Sequence, residues 1–396
     1  TAANIGYFWW SNDIGGHMLG GSDDAMAARW FQLGCFSPIN RLHSSNSGFT
    51  SKEPWRYSRD ARATMEAHLR LRHRLVPYLY TWARRSVAEG IAPVRPVYHD
   101  HPRELAAYEH RGSFYFGDLL VVPFTCRLDE TTGLGRELTW LPDGVWYDLP
   151  TGRRYEATTG RRGRMLSLSR PLDRIGVLAR TGSVIPLAGN LTEAAGDNPR
   201  ELEIVVVPGD SGSFTLEEDD GSAAPGPGRV ARTHLALTWP DTEGEDDEDA
   251  VLRIRLEGAD VVIPDSRLVR VRLVAGRVTD ALLGVGGQAR RLAVEDVDGD
   301  GFTLGAGMLI HLGELSRQEL ADGVELVLRG ARQVPADWRR EVHALLDAAH
   351  VAYAAKDRAW SAVDRGLCGT DLLGEMESLG LPETLRAAVA EALLHS

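Results

Sequence analysis

Three features are scarce in this sequence, and each scarcity excludes a class of protein. The 396 residues contain only three cysteines, Cys35, Cys126 and Cys368, and this odd, widely spaced set excludes a disulfide framework and favours a reducing compartment. No apolar run approaches the ~18 residues that a membrane-spanning helix needs. Lys and Arg number 44 against 56 Asp and Glu, and the net charge of −12 argues against nucleic acid as the main partner. We therefore expect a cytoplasmic protein with neither a nucleic-acid nor a membrane partner.

The composition is that of a globular protein, with 43% hydrophobic and 25% charged residues. A length of 396 residues predicts two to four domains, at roughly 100–200 residues per domain. The first residues, Thr1 to Asn4, contain neither an initiating Met nor the basic and apolar leader of a signal peptide. We expect that the chain is the C-terminal part of a longer protein.

Residues 1–92 are predicted to alternate strands and helices. Residues 5–10 and 36–39 are short apolar runs typical of strands, and polar loops follow them. Residues 25–33 and 60–89 have helical patterns, and Pro77 is expected to kink or split the second helix. Because strands and helices alternate, we predict parallel βα units and an α/β region.

From residue 93 the pattern changes to short apolar runs separated by turn residues, which is typical of antiparallel β-sandwiches. We predict one such domain at residues 93–190 and a second at 191–334. Strands are predicted at residues 119–123, 138–141, 177–179, 184–187, 204–207, 252–256 and 268–274. The run 241–249 holds seven carboxylates in nine residues and is predicted to be a solvated loop.

The last segment, residues 335–396, has a helical composition. The best helix candidates there are residues 338–355 and 381–394. We therefore predict a small C-terminal helical region, which packs as a cap on the sandwich, forms a small bundle or mediates dimerisation.

Polar side chains with a potential chemical role follow the two predicted strands of the first segment. Asp13 precedes Gly15 and Gly16, and Arg41 and His43 follow the second strand. The carboxyl ends of parallel strands meet at one edge, where such folds place their ligands, so we expect these side chains to lie together. Asp13 and Arg41 are predicted to form a buried bidentate pair.

A carboxylate and an imidazole at one rim are suited to hydrogen bonding with sugar hydroxyls. The same residues are also compatible with a structural ion pair and a histidine that is satisfied in the core. No metal site is predicted, because Asp13, His17, His43 and Cys35 lack the short ligand spacing of zinc sites.

Several motifs resemble glycoside hydrolase family 31, the α-glucosidase and α-xylosidase family. Residues 7–18, with the sequence YFWWSNDIGGHM, resemble the region of its seventh barrel strand. The resemblance continues, in the order of the family, through RWFQLGCFSP (29–38), RLHSS (41–45), EPW (53–55), LRHRLVPYLY (71–80), FGDLLVVP (116–123), LPDGVWYD (141–148), ARTGSVIP (179–186) and FTLEEDDG (214–221).

The resemblance implies a fold of the class α/β plus β. Residues 1–92 would be the C-terminal end of a (β/α)8 TIM barrel, followed by two antiparallel β-sandwich domains at 93–190 and 191–334 and a small helical region at 335–396. The implied function is a retaining exo-acting α-glycosidase, foremost an α-glucosidase with an α-xylosidase as the alternative. Its substrate would be an oligosaccharide or α-glycoside, and no cofactor is implied.

The resemblance also implies roles for five residues. Asp13 would bind sugar hydroxyls in the −1 subsite and be oriented by Arg41, and His43 would donate to a sugar hydroxyl. His17 stands where many members of the family carry an aromatic Phe, and Trp10 is a candidate for stacking on the sugar ring.

The two carboxylates that a retaining glycosidase needs are not found among these motifs. A full barrel takes about 250 residues, whereas only 92 precede the β region. We therefore expect the nucleophile and the acid/base to lie upstream of Thr1 and the chain alone to be inactive. Two alternatives of other classes are a non-catalytic carbohydrate-binding β-sandwich module and a scaffold that forms homo-oligomers through residues 335–396.

Overall fold

A computed structural model of the chain describes residues 2–18, 20–158, 162–223, 225–240, 249–301 and 303–394. All but the last residue of the acidic run 241–249 therefore lie outside the described residues. Across the described ranges, no helix combines the length and the hydropathy needed to cross a bilayer. The helices are α1 Asp24–Cys35, α2 Arg59–Arg74, α3 Val76–Glu89, α4 Val97–Asp100, α5 Leu105–Glu109, α6 Arg317–Asp322, α7 Trp338–Ala348, α8 Tyr353–Asp364, α9 Gly369–Ser378 and α10 Glu383–Leu393.

The two strands predicted in the first 92 residues are wrong. Ala2–Ile5 is a short 3-10 helix, residues 6–13 form neither helix nor strand, and residues 36–39 form a turn and bends. Within the described part of this segment, the predicted parallel pairing is reduced to an isolated bridge between Ile14 and Leu42. A strand is stable only when its backbone groups pair with a neighbour, and no extended neighbour flanks this segment within the described residues.

The helical predictions for this segment are confirmed. The side chain of Asp23 caps α1 by accepting a hydrogen bond from the backbone N–H of Met26 at 2.9 Å. The predicted helix at residues 60–89 is split into α2 and α3 at Leu75, because Pro77 lies in the first turn of α3. Gly90 ends α3 in the left-handed conformation, with φ +72°.

Strands dominate residues 94–333. The strands are β1 Val94–Pro96, β2 Phe114–Phe116, β3 Leu119–Val122, β4 Gly135–Leu141, β5 Val145–Asp148, β6 Arg153–Glu156, β7 Arg164–Arg170, β8 Gly176–Arg180, β9 Val184–Ala188, β10 Glu201–Val206, β11 Gly212–Asp219, β12 Val230–Thr238, β13 Ala250–Gly258, β14 Ser266–Val274, β15 Gly276–Arg277, β16 Asp280–Val285, β17 Gln288–Arg291, β18 Val294–Val297, β19 Gly307–Ser316, β20 Val324–Arg329 and β21 Arg332–Gln333. Among the described residues, three larger sheets have the strand orders β1-β2-β3-β8-β5-β6, β18-β19-β14-β10-β9 and β11-β12-β13-β20-β16-β17. Strands β4 and β7 form a two-stranded sheet, and so do β15 and β21.

Each strand predicted in this region coincides with an observed one, but the pairing is not entirely antiparallel. Strand β10 pairs with β14 in parallel, with Glu201 opposite Leu268 and Val206 opposite Leu273. The connection between them passes through β11, β12 and β13, and a long connection of this kind is what parallel pairing requires. Strand β9, predicted as part of the first β domain, pairs with β10 in the five-stranded sheet.

The C-terminal segment contains four helices, α7 to α10, around their own apolar cluster. The single helix predicted at residues 338–355 is wrong, because α7 ends at Ala348. The backbone N–H of His350 donates instead to the carbonyl of Thr131, at 2.6 Å, and this contact with the β region replaces a helical hydrogen bond.

A buried carboxylate joins α10 to the first β region. Glu391 is almost fully buried and accepts hydrogen bonds from Arg153 at 2.8 Å, Arg170 at 2.6 Å, the Tyr155 hydroxyl at 2.6 Å and the Ser169 backbone at 2.6 Å. Burial raises the pKa of Glu391, but the attraction of Arg170 and Arg153 outweighs it and lowers the pKa to about 2. The helical segment is thus bound to the β region by a buried, charged hydrogen-bond cluster.

We predict that Glu391→Gln lowers the free energy of unfolding by about 3 kcal/mol at pH 7, the lower end of the cost of breaking a buried ion pair. The buried Arg170 and Arg153 lose the carboxylate that they share, but they keep Asp148 at 2.8 Å and Glu341 at 2.9 Å. A carboxyl group whose pKa is lower in the folded than in the unfolded state stabilises the fold at pH values above its unfolded pKa. The contribution of Glu391 is therefore lost as the pH falls from 4.5 towards about 2. The variant should lose that acid-side pH dependence. Urea unfolding at several pH values measures both effects.

The matched control is Glu383→Gln on the same helix. The Glu383 side chain is 76% exposed and pairs with Arg136 at 3.1 Å, so its removal should cost less than about 1 kcal/mol. Equal losses in the two variants would contradict a stabilising role for the buried pair.

Candidate functional site

The predicted site residues lie on the two segments that the parallel bridge between Ile14 and Leu42 joins. Because Ile14 is opposite Leu42, the preceding residues Asp13 and Arg41 are brought side by side, and His43 follows on the same segment. Ile14 is 1% exposed and packs in a small apolar cluster with residues of α1 and α2. The local core therefore fixes the position of the polar residues, although both segments are irregular.

Four of the five predicted residues come together. Arg41 Nη2 donates to Asp13 Oδ1 at 2.7 Å, and His17 Nδ1 lies 3.4 Å from Asp13 Oδ2. The rings of His17 and His43 have centroids 4.4 Å apart and are inclined at 51°. The fifth residue, Trp10, is half-buried, and the described residues form no hydrogen bond or ring contact with it.

The prediction of a buried, bidentate pair is wrong in both respects. Only one nitrogen of Arg41 reaches Asp13, and the two side chains are 50% and 34% exposed. The second oxygen of Asp13 faces His17 instead, so the carboxylate divides its two oxygens between a guanidinium and an imidazole. An exposed ion pair adds little to stability. A ligand can therefore contact this carboxylate at little cost to the fold.

The glycines after Asp13 allow the chain to turn. Gly15 and Gly16 both have φ +86°, which side chains rarely adopt, and the N–H of Gly16 closes the turn on the carbonyl of Asp13 at 2.8 Å. Lys52 Nζ donates to the carbonyl of Gly15 at 2.7 Å, and a Cβ at Gly15 would lie 2.9 Å from the Lys52 side chain. Lys52 thereby adds a second cation beside the site.

Sequence reasoning missed three residues that position the site. Trp30 Nε1 donates to Asn12 Oδ1 at 2.7 Å and so ties the segment before Asp13 to α1. Gly34 lets α1 approach closely, because a Cβ there would lie 2.3 Å from Cδ1 of Ile14. A glycine inside a helical pattern is the one signal in the sequence that indicates such an approach.

The other acidic side chains near the start of α1 are already engaged. Asp23 caps α1, and Asp24 Oδ2 accepts from the backbone N–H of Ser58 at 2.9 Å. These hydrogen bonds are structural, and neither residue shares a site with Asp13 among the contacts of the described residues. Asp13 is thus the carboxylate at the centre of this cluster.

The cluster also has the composition of a metal site. One ligand atom each from Asp13, His17 and His43 can be chosen so that all three lie within 4.8 Å of one another. Spacing along the chain predicts no metal site, because it does not reveal that the Ile14–Leu42 bridge brings His43 to Asp13 and His17.

The chain is similar to proteins of one family. Residues 1–82 match the family model described as the glycosyl hydrolases family 31 TIM-barrel domain, and residues 90–185 match the glycosyl hydrolase family 31 C-terminal domain. An alpha-xylosidase of Saccharolobus solfataricus is 32% identical over 219 residues, which cover 54% of this chain and 28% of that protein. The lysosomal alpha-glucosidase of Bos taurus is 28% identical over 218 residues, covering 52% of this chain and 23% of that protein.

Solved structures of proteins described as GH31 enzymes are also similar to the chain. The GH31 alpha-xylosidase from Xanthomonas citri has a TM-score of 0.53 at 28% identity, covering 63% of this chain and 26% of that one. A GH31 dextranase of Flavobacterium johnsoniae, complexed with glucose, has a TM-score of 0.64 at 19% identity, covering 82% and 40%, and shows likeness of fold alone. The chain spans about a quarter of the length of the two curated relatives.

We predict that Gly34→Ala destabilises the protein by about 1–3 kcal/mol and displaces the bridge, because the added methyl group collides with buried Ile14. Urea unfolding measures the stability, and the NMR signals of the His17 and His43 rings report the site. The control is Gly374→Ala inside α9, where nothing lies within 4 Å of the added Cβ. There the better helix propensity of Ala should stabilise by about 0.5–1 kcal/mol. Stabilisation in both variants would show that Gly34 is not a close-packing residue.

Proposed function

We propose that the chain is the C-terminal part of a retaining, exo-acting α-glycosidase, because residues 1–82 and 90–185 match the two models of glycosyl hydrolase family 31. The enzyme removes terminal α-linked sugars from oligosaccharides, foremost as an α-glucosidase. One observation of the structure supports this most directly: Asp13, Arg41, His17 and His43 converge at one partly open rim.

The arrangement suits the hydroxyl groups of a pyranose ring. Asp13 carries acceptor oxygens, and Arg41 holds one of them at 2.7 Å, which fixes the direction of the other. His17 and His43 each offer ring nitrogens that donate or accept. In this proposal Asp13 and His43 contact the sugar in the −1 subsite and Arg41 positions Asp13. Trp10 is proposed as the stacking residue on the strength of family resemblance alone.

The reaction proceeds by double displacement through a covalent glycosyl-enzyme, with two carboxyl groups about 5–5.5 Å apart. We propose that both groups lie in the part of the enzyme that precedes these residues. In support, Asp23 and Asp24 are engaged in capping and backbone contacts. Large apolar side chains of the first 92 residues are also exposed, including Tyr7 at 62% and Phe49 at 96%, as expected where further barrel units cover them.

An α-xylosidase is the second candidate. Its support is that an α-xylosidase of Saccharolobus solfataricus is 32% identical over the matched residues, against 28% for the bovine α-glucosidase. The two activities differ in whether the subsite accommodates a hydroxymethyl group. A non-catalytic sugar-binding β-sandwich module is weaker, since such a module has no use for the cluster around Asp13.

The finer architecture and setting are also proposals. We propose that residues 1–92 end a TIM barrel, that 93–190 and 191–334 are sandwich domains and that 335–396 is a helical region, as the separate apolar cluster of that region supports. A cytoplasmic location is proposed from the three unpaired cysteines. Assembly into homo-oligomers through residues 335–396 is proposed on the resemblance of that segment to a small bundle.

We predict that the chain binds methyl α-D-glucopyranoside through Asp13. Asp13→Asn should weaken binding by about 10–100-fold, since a hydrogen bond to a charged group contributes about 1.5–3 kcal/mol. The measurement is NMR titration of the imidazole signals, and methyl α-D-xylopyranoside tested in parallel decides between the two sugars. Asp357→Asn, at an exposed position of α8, is the control and should bind like the wild type.

The expected result for an aryl α-glucoside is binding without turnover. Equal affinity of the Asp13 variant and the wild type would contradict the assigned subsite. Turnover by the 396-residue chain would instead contradict the proposal that the two carboxylates lie outside it.

A further inference from the structure

We propose that Asp13, His17 and His43 form a binding site for a divalent transition-metal ion of the Zn²⁺ type, which overlaps the sugar site. Two imidazoles and one carboxylate are a ligand set that zinc and related ions accept. The metal site itself stands independently of the proposed function. Only the competition with sugar described below rests on it.

The distances are close to those of a bound ion. With metal–ligand bonds of about 2.0–2.2 Å, two ligands of a tetrahedral ion lie about 3.3–3.5 Å apart. The pair of His17 Nδ1 and Asp13 Oδ2 already lies at 3.4 Å. All three ligand atoms fall within 4.8 Å, so the widest pair has to close by no more than about 1.5 Å.

The side chains are free to make that adjustment. The side chain of His17 is 42% exposed and that of Asp13 is 34% exposed, so each has space on its solvent side for a small rotation. Arg41 occupies Oδ1 of Asp13 and leaves Oδ2, which faces His17, for the metal. Three protein ligands leave at least one coordination position open to solvent.

Two cations oppose metal binding. Arg41 contacts Asp13 directly, and Lys52 lies beside the Gly15 carbonyl in the next turn. Their repulsion weakens the site, so removal of Arg41 should strengthen metal binding. The same change should weaken sugar binding, because Arg41 positions the carboxylate. Opposite effects of one substitution on two ligands are not expected from a general loss of structure.

The sugar and the metal require the same carboxylate oxygen and the same imidazole nitrogens. Occupation by Zn²⁺ therefore removes the groups that hold the hydroxyls, and the metal and methyl α-D-glucopyranoside should compete. With His43 as the one imidazole beside Asp13, the site would bind Zn²⁺ too weakly for the metal to displace the sugar. His17 supplies the second imidazole.

The test is calorimetric titration of the full chain with Zn²⁺, without sugar. We expect one ion per chain and, in His17→Phe, an affinity lower by at least about tenfold. Loss of a ligand should cost at least as much as loss of its outer-shell partner, which is about 10–100-fold. Arg41→Gln should raise the affinity several-fold. The control is His234→Phe, because His234 pairs with Glu257 at 3.3 Å and Thr215 at 3.1 Å on a sheet surface.

Bound Co²⁺ gives an independent readout on the wild type, which does not depend on whether a variant folds. Its visible absorption should indicate nitrogen and oxygen ligands and decline as methyl α-D-glucopyranoside is added. A thiolate-to-cobalt band would place the ion at exposed Cys126 or Cys368 and overturn the proposal. So would wild-type affinity in a folded His17→Phe variant, or no binding of either ion. If sugar binding fails, the sugar-free titration still decides the metal site.

Discussion

The Arg29 guanidinium holds the first segment of the chain to the β region. It lies on α1 and donates to Gln32 Oε1 at 3.1 Å and to the carbonyls of Arg170 at 3.0 Å, Pro171 at 2.9 Å and Arg174. Burial lowers the pKa of Arg29 to about 10, so the group stays protonated at neutral pH. A buried cation must be hydrogen-bonded, and these carbonyls lie where only the folded β7–β8 connection places them. The position of α1 therefore depends on the β region being folded.

This dependence extends in both directions along the chain. Towards the N-terminus, α1 packs on Ile14 and so sets the bridge that brings Asp13 beside Arg41. Towards the C-terminus, the side chain of Arg170 reaches Glu391 on α10, while its backbone accepts from Arg29. One residue thus connects the helix that supports the site with the helical segment at the other end of the sequence. A site of irregular loops is held in place by contacts that lie far from it in sequence.

Local patterns predicted the elements that depend on local interactions. The helix at residues 25–33, the split at Pro77 and the strands after residue 93 follow from side-chain chemistry and periodicity, and the structure contains them. The strands predicted before Asp13 and Arg41 failed because a strand exists only with a partner. The parallel pairing of β10 with β14 and the end of α7 at Ala348 are set by distant contacts, which periodicity does not carry. Membership of a cluster was predictable for Asp13, Arg41 and His43, but its geometry was not.

The cluster is open to a ligand because the Asp13–Arg41 pair is partly exposed and joined by a single hydrogen bond. A bidentate, buried Asp13–Arg41 pair would engage both carboxylate oxygens and shield them from a ligand. The observed single contact holds one oxygen and leaves the other beside His17, so the pair orients the carboxylate without neutralising its binding capacity. A sugar hydroxyl or a metal ion that binds there competes with the imidazole of His17 for that oxygen. The weak stabilisation of an exposed ion pair is therefore what makes this carboxylate suited to a binding site.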